Sequence, residues 1–121
     1  MDVTPFDHLK LLGGFIILHV EVSHEPLIDA IGREALARTS ILGREFEITL
    51  CPGLSEKELS VTLYHEVLEA AAVASDDPPE GLIEFNEGDY DAAAYAAHDL
   101  FGPASPMALN LMLQSHGFRE L

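Results

Sequence analysis

The sequence predicts a single α+β domain over residues 1–121, with a small sheet of about three strands packed with about four helices. Residues 45–50 alternate apolar and polar side chains with the period of a half-buried strand. Residues 56–75 follow a strong helix-start signal and carry apolar side chains at helical spacing. Two further helical segments follow them. A small sheet combined with several helices is typical of the α+β class.

The first half of the chain is predicted to hold two strands separated by a helix. Residues 1–12 are expected to form a loosely ordered or short helical lead-in. Residues 15–22 are rich in β-branched side chains and alternate toward their end, which favours a strand. Pro26 favours a helix start, and the apolar stripe that follows ends before Gly43. The alternating residues 45–50 form the second strand.

The helix predicted over residues 56–75 has the clearest start signal in the chain. Ser55 is expected to be its N-cap, and Glu58, three residues later, completes a capping box. Leu54 and Leu59 flank the cap and can form a hydrophobic staple. The acidic, proline-containing segment that follows is expected to end the helix.

The C-terminal part is predicted to contain one more strand and two helices. Residues 82–85 are a possible third strand. An alanine-rich helix is expected over about residues 88–100, and it stops at Gly102. Pro106 opens a last helix, which Gly117 closes.

Composition restricts the partners and the compartment. With 21 acidic against 6 basic residues, the net charge is −15, which argues against binding of nucleic acid through a basic patch. The single cysteine, Cys51, cannot form an internal disulfide, which favours a reducing compartment such as the cytoplasm. The N-terminus has no signal-peptide pattern, and the longest apolar run, residues 15–18, is too short for a membrane span.

A possible metal site lies within the best-capped helix. His65 and Glu69 are four residues apart, so they share one helix face and can converge on one cation. Glu66 is adjacent and could act as a general base, which is the logic of the H-E-x-x-H zinc helix. Carboxylate ligands suit zinc and also harder metals such as manganese. An amphipathic helix with a solvated acidic face would give much the same pattern.

Residues 48–69, which read ITLCPGLSEKELSVTLYHEVLE, resemble the strand, loop and active helix of minimal zincins. They are most similar to the ImmA/IrrE-type metallopeptidases, in which a second helix of the form E-x-x-A-x-x-F-A brings the third ligand. Residues 89–103, which read DYDAAAYAAHDLFGP, resemble that second motif. The resemblance implies a zincin-like fold whose strand 45–50 lies at the sheet edge beside the cleft.

The resemblance also implies a set of site residues. His65 and Glu69 would bind the metal, zinc or alternatively manganese, with Glu69 standing where the family has histidine. The third-ligand position falls on Asp89, with Asp91 close by. Apart from the resemblance, His98 is an alternative third ligand, because it lies seven residues after Asp91 on the same helix face. Glu66 would be the catalytic base.

Three functions therefore stay open at the level of the sequence. The first is a metal-dependent peptidase of zincin type, acting on a peptide or protein substrate. The second is an inactive zincin-like domain that binds a protein partner. The third is a plain acidic α+β module. The oligomeric state is not fixed by any of these patterns.

Overall fold

The structure is a computed structural model that describes residues 1–121. Its first half is built from strands. They are β1 (Leu9–Leu11), β2 (Phe15–Val22), β3 (Leu27–Ile28), β4 (Glu34–Ala35), β5 (Ala37–Leu42) and β6 (Glu45–Leu50). Its second half contains three α-helices. They are α1 (Glu56–Ala74), α2 (Glu87–Phe101) and α3 (Pro106–Ser115). The α+β class predicted from the sequence is therefore confirmed.

The main sheet has four strands in the order β1-β2-β6-β5. β2 and β6 run parallel, whereas β1 and β5 each pair antiparallel with the strand beside them. β3 and β4 form a separate two-stranded ribbon. β5 is thus an edge strand, and β6 lies in the interior of the sheet. The expectation that residues 45–50 form the edge is wrong, because residues 37–42 form a further strand that covers that side.

The hydrophobic core lies between the sheet and the helices. The alternation predicted for β6 is confirmed, since Phe46, Ile48 and Leu50 are all almost fully buried. On the helical side, α1 buries Leu63 and Val67 completely. α1 contacts both β5 and β6 and also packs against α2 and α3. None of the three α-helices is long and apolar enough to cross a lipid bilayer.

The start of α1 follows the sequence prediction closely. The Ser55 side chain accepts a hydrogen bond from the backbone N–H of Glu58 at 3.1 Å. The Glu58 carboxylate in turn accepts from the Ser55 backbone N–H at 3.0 Å, which completes the capping box. The observed helix differs from the predicted one by one residue at its C-terminal end.

The helix predicted between Pro26 and Gly43 is wrong, because this segment forms the β3–β4 ribbon and β5. The Asp29 carboxylate accepts hydrogen bonds from the backbone N–H groups of Ile31 and Arg33, at 3.0 and 2.9 Å. Together with Gly32, whose φ is +84°, this arrangement makes a tight turn that a helix cannot contain. Much of the expected helical stripe is instead exposed on the ribbon.

The third strand predicted over residues 82–85 is also wrong, since a 3₁₀ turn (Glu80–Leu82) occupies the start of this segment. The backbone N–H of Leu82 bonds to the carbonyl of Pro79, and that of Phe85 bonds to the carbonyl of Leu82. No neighbouring strand is present, so local bonds satisfy the backbone. The sheet has one strand more than expected, and the α-helices number three instead of about four.

The N-terminal lead-in is helical only in part. A 3₁₀ turn (Thr4–Phe6) is present, but β1 follows it within the predicted lead-in and pairs with β2.

Candidate metal centre

Two helices supply the polar cluster around His65. α1 carries His65, Glu66 and Glu69, and the first turns of α2 carry Glu87 and Asp91. His65 and Glu69 are one helical turn apart, as are Glu87 and Asp91, so each pair lies on one face of its helix. The packing of α1 against α2 brings the two faces together.

The two ring nitrogens of His65 have different surroundings. Nδ1 lies 2.6 Å from Oδ1 of Asp91. Nε2 lies 3.1 Å from Oε2 of Glu87, and 3.9 Å from one carboxylate oxygen of each of Glu66 and Glu69. The His65 side chain is only 12% exposed, and its ring lies against Tyr90. Nε2 therefore faces three carboxylates while a fourth binds the other nitrogen.

Thr39 on β5 holds the carboxylate of Glu66. Its Oγ1 donates a hydrogen bond to Oε1 of Glu66 at 2.9 Å. The other oxygen, Oε2, is the one turned toward His65. Glu66 is therefore held from the sheet side. The sequence does not predict this partner, because the pattern of residues 37–42 favours a helix.

The cluster carries negative charge that no basic side chain of the protein balances. The only salt bridge made by a lysine or arginine in the structure joins Arg33 to Asp29, outside the cluster. His65 is the only group that can carry a positive charge beside the four carboxylates of the cluster, which belong to Glu66, Glu69, Glu87 and Asp91. Four carboxylates around one imidazole leave a net negative site even when the ring is protonated, and such a site favours a cation.

The pKa values of His65, Glu66 and Glu69 shift toward the protonated forms, whereas the hydrogen bond with Glu69 and the charge of His65 lower the pKa of Glu87. Burial, followed by the hydrogen bond with Glu87 and its charge, raises the pKa of Glu69 to about 7. Burial also raises the pKa of Glu66, although the bond from Thr39 opposes this shift. Burial alone would lower the pKa of His65, but the bond to Asp91 and the surrounding carboxylates raise it. Without a cation, the cluster lowers its charge by holding protons.

The residues proposed as the third ligand take different positions. Asp89 does not join the cluster. Its carboxylate accepts from the backbone N–H of Asn86 at 3.1 Å, and its own N–H bonds to the Asn86 side chain, which makes a capping box at the start of α2. Asp91 does join the cluster, but on Nδ1 of His65. His98 lies elsewhere, with Nδ1 2.8 Å from Oγ of the buried Ser60.

Glu87 is the member of the cluster that the sequence pattern does not predict. The helix predicted over about residues 88–100 begins just after it, whereas α2 begins at Glu87. Two signals were available: Glu87 and Asp91 are four residues apart, and Asn86 with Asp89 has the spacing of a capping box. Together they place Asp89 at the helix cap and leave Glu87 and Asp91 on a shared face.

The cluster opens into a cleft beside the edge of the sheet. The cleft has a volume of about 350 Å³, and Ala37 of β5, Val61 of α1 and Tyr95 of α2 are among its lining residues. A smaller opening of about 160 Å³ lies between β5 and α1, where Glu66 and Glu69 line it together with Val73. Glu66 therefore lines both openings beside β5.

No protein-family model, curated protein or solved structure matches the chain.

Proposed function

We propose that this protein is a metal-dependent peptidase in which His65, Glu69 and Glu87 hold a divalent cation. The observation that carries the proposal is the surroundings of His65, whose Nε2 faces three carboxylates while its Nδ1 is paired with Asp91. His65, Glu66 and Glu69 each offer an atom within 4.8 Å of the others, so the proposed base, Glu66, lies beside two of the proposed ligands. The resemblance to ImmA/IrrE-type metallopeptidases stays a prediction.

The donor atoms fit a small divalent cation. Two ligands bound at tetrahedral zinc with bonds of about 2.1 Å are separated by roughly 3.4 Å. The distances from Nε2 of His65 to the oxygens of Glu87 and Glu69, 3.1 and 3.9 Å, lie on either side of that value. A ligating histidine commonly donates its other ring N–H to a carboxylate, and Asp91 is placed for this role. One nitrogen with carboxylates suits zinc, and manganese is the alternative.

In the proposed reaction, the side chains of the cluster orient one another and transfer protons. A divalent cation in such a site supplies a Lewis acid that polarises a carbonyl and activates water at neutral pH. Glu66, oriented by Thr39, accepts the proton of the attacking water at Oε2 and passes it to the leaving amine nitrogen. Asp91 keeps Nδ1 of His65 protonated, so that Nε2 remains a ligand.

The free edge of β5 supports an extended peptide as the substrate. The carbonyl of Leu36, just before β5, accepts a backbone hydrogen bond on the β6 side. Along an antiparallel pair, every second residue makes such bonds to the partner strand. The backbone N–H and C=O groups of Ala37, Thr39 and Ile41 therefore face away from the sheet. A peptide that added to this edge would pass directly beside Glu66, to which Thr39 is bonded.

Turnover of an extended peptide library by wild-type protein and by the Glu66→Gln variant tests the proposal. Wild-type protein loaded with zinc or manganese is expected to release new amino termini, and the variant is expected to lose at least about a hundredfold in rate. The variant should retain its fold and its metal, because Glu66 is assigned to proton transfer and not to binding the ion. A rate that stays the same in the variant would contradict the role of Glu66.

The free edge also favours a second candidate function, namely a zincin-like domain that binds a peptide without cutting it. The same experiment separates the two functions. Saturable peptide binding without cleavage, in the metal-loaded wild-type protein, would favour the binding domain.

A further inference from the structure

We propose that the cleft beside His65 selects peptides that carry an arginine or lysine side chain next to the bond being cut. This inference rests on the proposed peptidase function and names the class of its substrate. It comes from the walls of the cleft of about 350 Å³, which combine apolar surface with carboxylates and include no lysine or arginine.

The apolar surface of the cleft suits the carbon stem of a long side chain. Leu36 and Tyr95 line it and are more than half exposed, whereas Val61 is buried. Aliphatic stems of lysine and arginine cover apolar surface of this kind while their charged ends remain in water. Nζ of Lys57 lies 5.8 Å from the centroid of the Tyr95 ring, so this part of the wall already has one cation, and attraction of a basic side chain falls to the carboxylates.

A negatively charged carboxylate at the far end of the cleft suits the cationic end of such a side chain. Glu58 lines the cleft two helical turns before His65 on α1, a distance of about 10 Å along the helix axis. A short side chain would not bridge this distance from a bond held at the cluster. Only Oε1 of Glu58 is used in the capping box, so Oε2 is available to a guanidinium or ammonium group.

Asp91 adds a second carboxylate to the same wall. Its Oδ1 is bonded to His65, and its side chain is 64% exposed. A cation bound by His65, Glu69 and Glu87 would neutralise only part of the local charge. Glu58 and Asp91 would continue to attract a basic side chain and to repel an acidic one.

Peptide binding to ¹⁵N-labelled Glu66→Gln protein tests the inference without relying on turnover. The probes are acetylated, amidated pentapeptides of alanine with arginine, citrulline or glutamate at the centre. Arginine is expected to bind about fivefold more tightly than citrulline, its neutral isostere, as for one partly exposed ion pair. The glutamate peptide should bind most weakly, and the amide signals of Val61 and Tyr95 should shift on binding.

A matched pair of variants localises the preference. Glu58→Gln removes the charge but keeps an acceptor for the Ser55 N–H, so the capping box is preserved. Glu47→Gln removes the same charge from an exposed position on β6 that does not line the cleft. The arginine preference should decrease in the first variant, where Asp91 alone remains, and persist unchanged in the second.

Several outcomes would overturn the inference. They are equal binding of arginine and citrulline peptides, an equal loss of preference in both variants, and the absence of saturable binding. The comparison of arginine with citrulline needs no variant at position 58, so it stands whatever the stability of Glu58→Gln. Hydrolysis without an arginine preference would overturn this inference alone. An arginine preference without metal or hydrolysis would overturn only the proposed peptidase.

Discussion

The Nδ1 atom of His65 on α1 lies 2.6 Å from Oδ1 of Asp91 on α2, and this contact joins the two helices that form the cluster. It determines which ring nitrogen carries a proton when the ring is neutral, because the carboxylate accepts from Nδ1–H. In the absence of a cation, Nε2 is hydrogen-bonded to the Glu87 carboxylate, with Glu66 and Glu69 close by. In the proposed site, a cation would take the place of the Nε2 proton, and the Asp91 contact would keep His65 oriented as a ligand.

Removal of the Asp91 carboxylate is expected to weaken metal binding without removing a ligand. In Asp91→Ala, the affinity for zinc should fall by roughly 10- to 100-fold, because His65 loses the acceptor that orients it. Competition against a chromophoric chelator measures the change. Asp89→Asn is the control: it removes a carboxylate from the same helix but keeps an acceptor for the Asn86 N–H, so the capping box of α2 is preserved and the zinc affinity should be nearly unchanged. Equal losses in the two variants would contradict the separate roles of these aspartates.

The stability of the metal-free protein is expected to decrease between about pH 5 and pH 8. The folded state raises the pKa of Glu69 from 4.5 to about 7, so in this range it retains a proton that the unfolded chain has released. A rise in pH therefore favours unfolding. The raised pKa values of His65 and Glu66 act in the same direction. Burial lowers the pKa of His116, which acts in the opposite direction.

Thermal unfolding in the presence of a chelator measures this dependence. The midpoint should fall by a few degrees across the range, and Glu69→Gln should remove much of the decrease. Glu47→Gln, which removes a charge from the exposed face of β6, should retain it. Added zinc should reverse the slope, because ligands must lose their protons to bind it. A pH dependence that is the same in both variants would contradict the assignment to Glu69.

Thr39 is expected to act on the reaction through Glu66 and not through substrate binding. In Thr39→Val the hydrogen bond to Oε1 of Glu66 is lost while the shape of the side chain is kept, and kcat should fall by about tenfold. KM should change little, and Thr39→Ser should restore most of the rate because it keeps the hydroxyl. Steady-state kinetics on one peptide separates the two constants. An effect on KM alone would show that Thr39 serves substrate binding instead.

The free edge of β5 gives a prediction for peptide binding. Proline at Ile41 removes an N–H group that faces away from β6, so Ile41→Pro should keep the fold and weaken peptide binding. Proline at Ser40 removes an N–H group that bonds to β6, so Ser40→Pro should instead destabilise the sheet. Peptide titration and thermal unfolding of both variants measure these effects. Unchanged peptide binding in Ile41→Pro would exclude this edge as the binding surface.

The parts of the fold that the sequence predicted correctly are those with strong local signals. The capping box of Ser55 and Glu58 fixes the start of α1, and the strict alternation of Glu45–Leu50 fixes β6. Each signal lies within a few neighbouring residues and needs no distant partner. The pairing of His65 with Glu69 on one face follows from helical geometry in the same way.

The parts that could not be predicted depend on contacts between distant segments. The residues before Gly43 have apolar spacing compatible with a helix, but pairing with β6 makes residues 37–42 a strand. The partners of His65 on α2, Glu87 and Asp91, are more than twenty residues away and are set by how α1 packs on α2. Thr39 reaches Glu66 only because β5 forms.

Metal content measured by elemental mass spectrometry on untagged protein tests the central claim most directly. After incubation with zinc or manganese and removal of the excess, about one equivalent is expected per chain. His65→Ala and Glu87→Ala should both lose it, whereas Glu84→Ala, which removes an exposed carboxylate outside the cluster, should retain it. The absence of stoichiometric metal in the wild-type protein, or its retention in His65→Ala, would contradict the account.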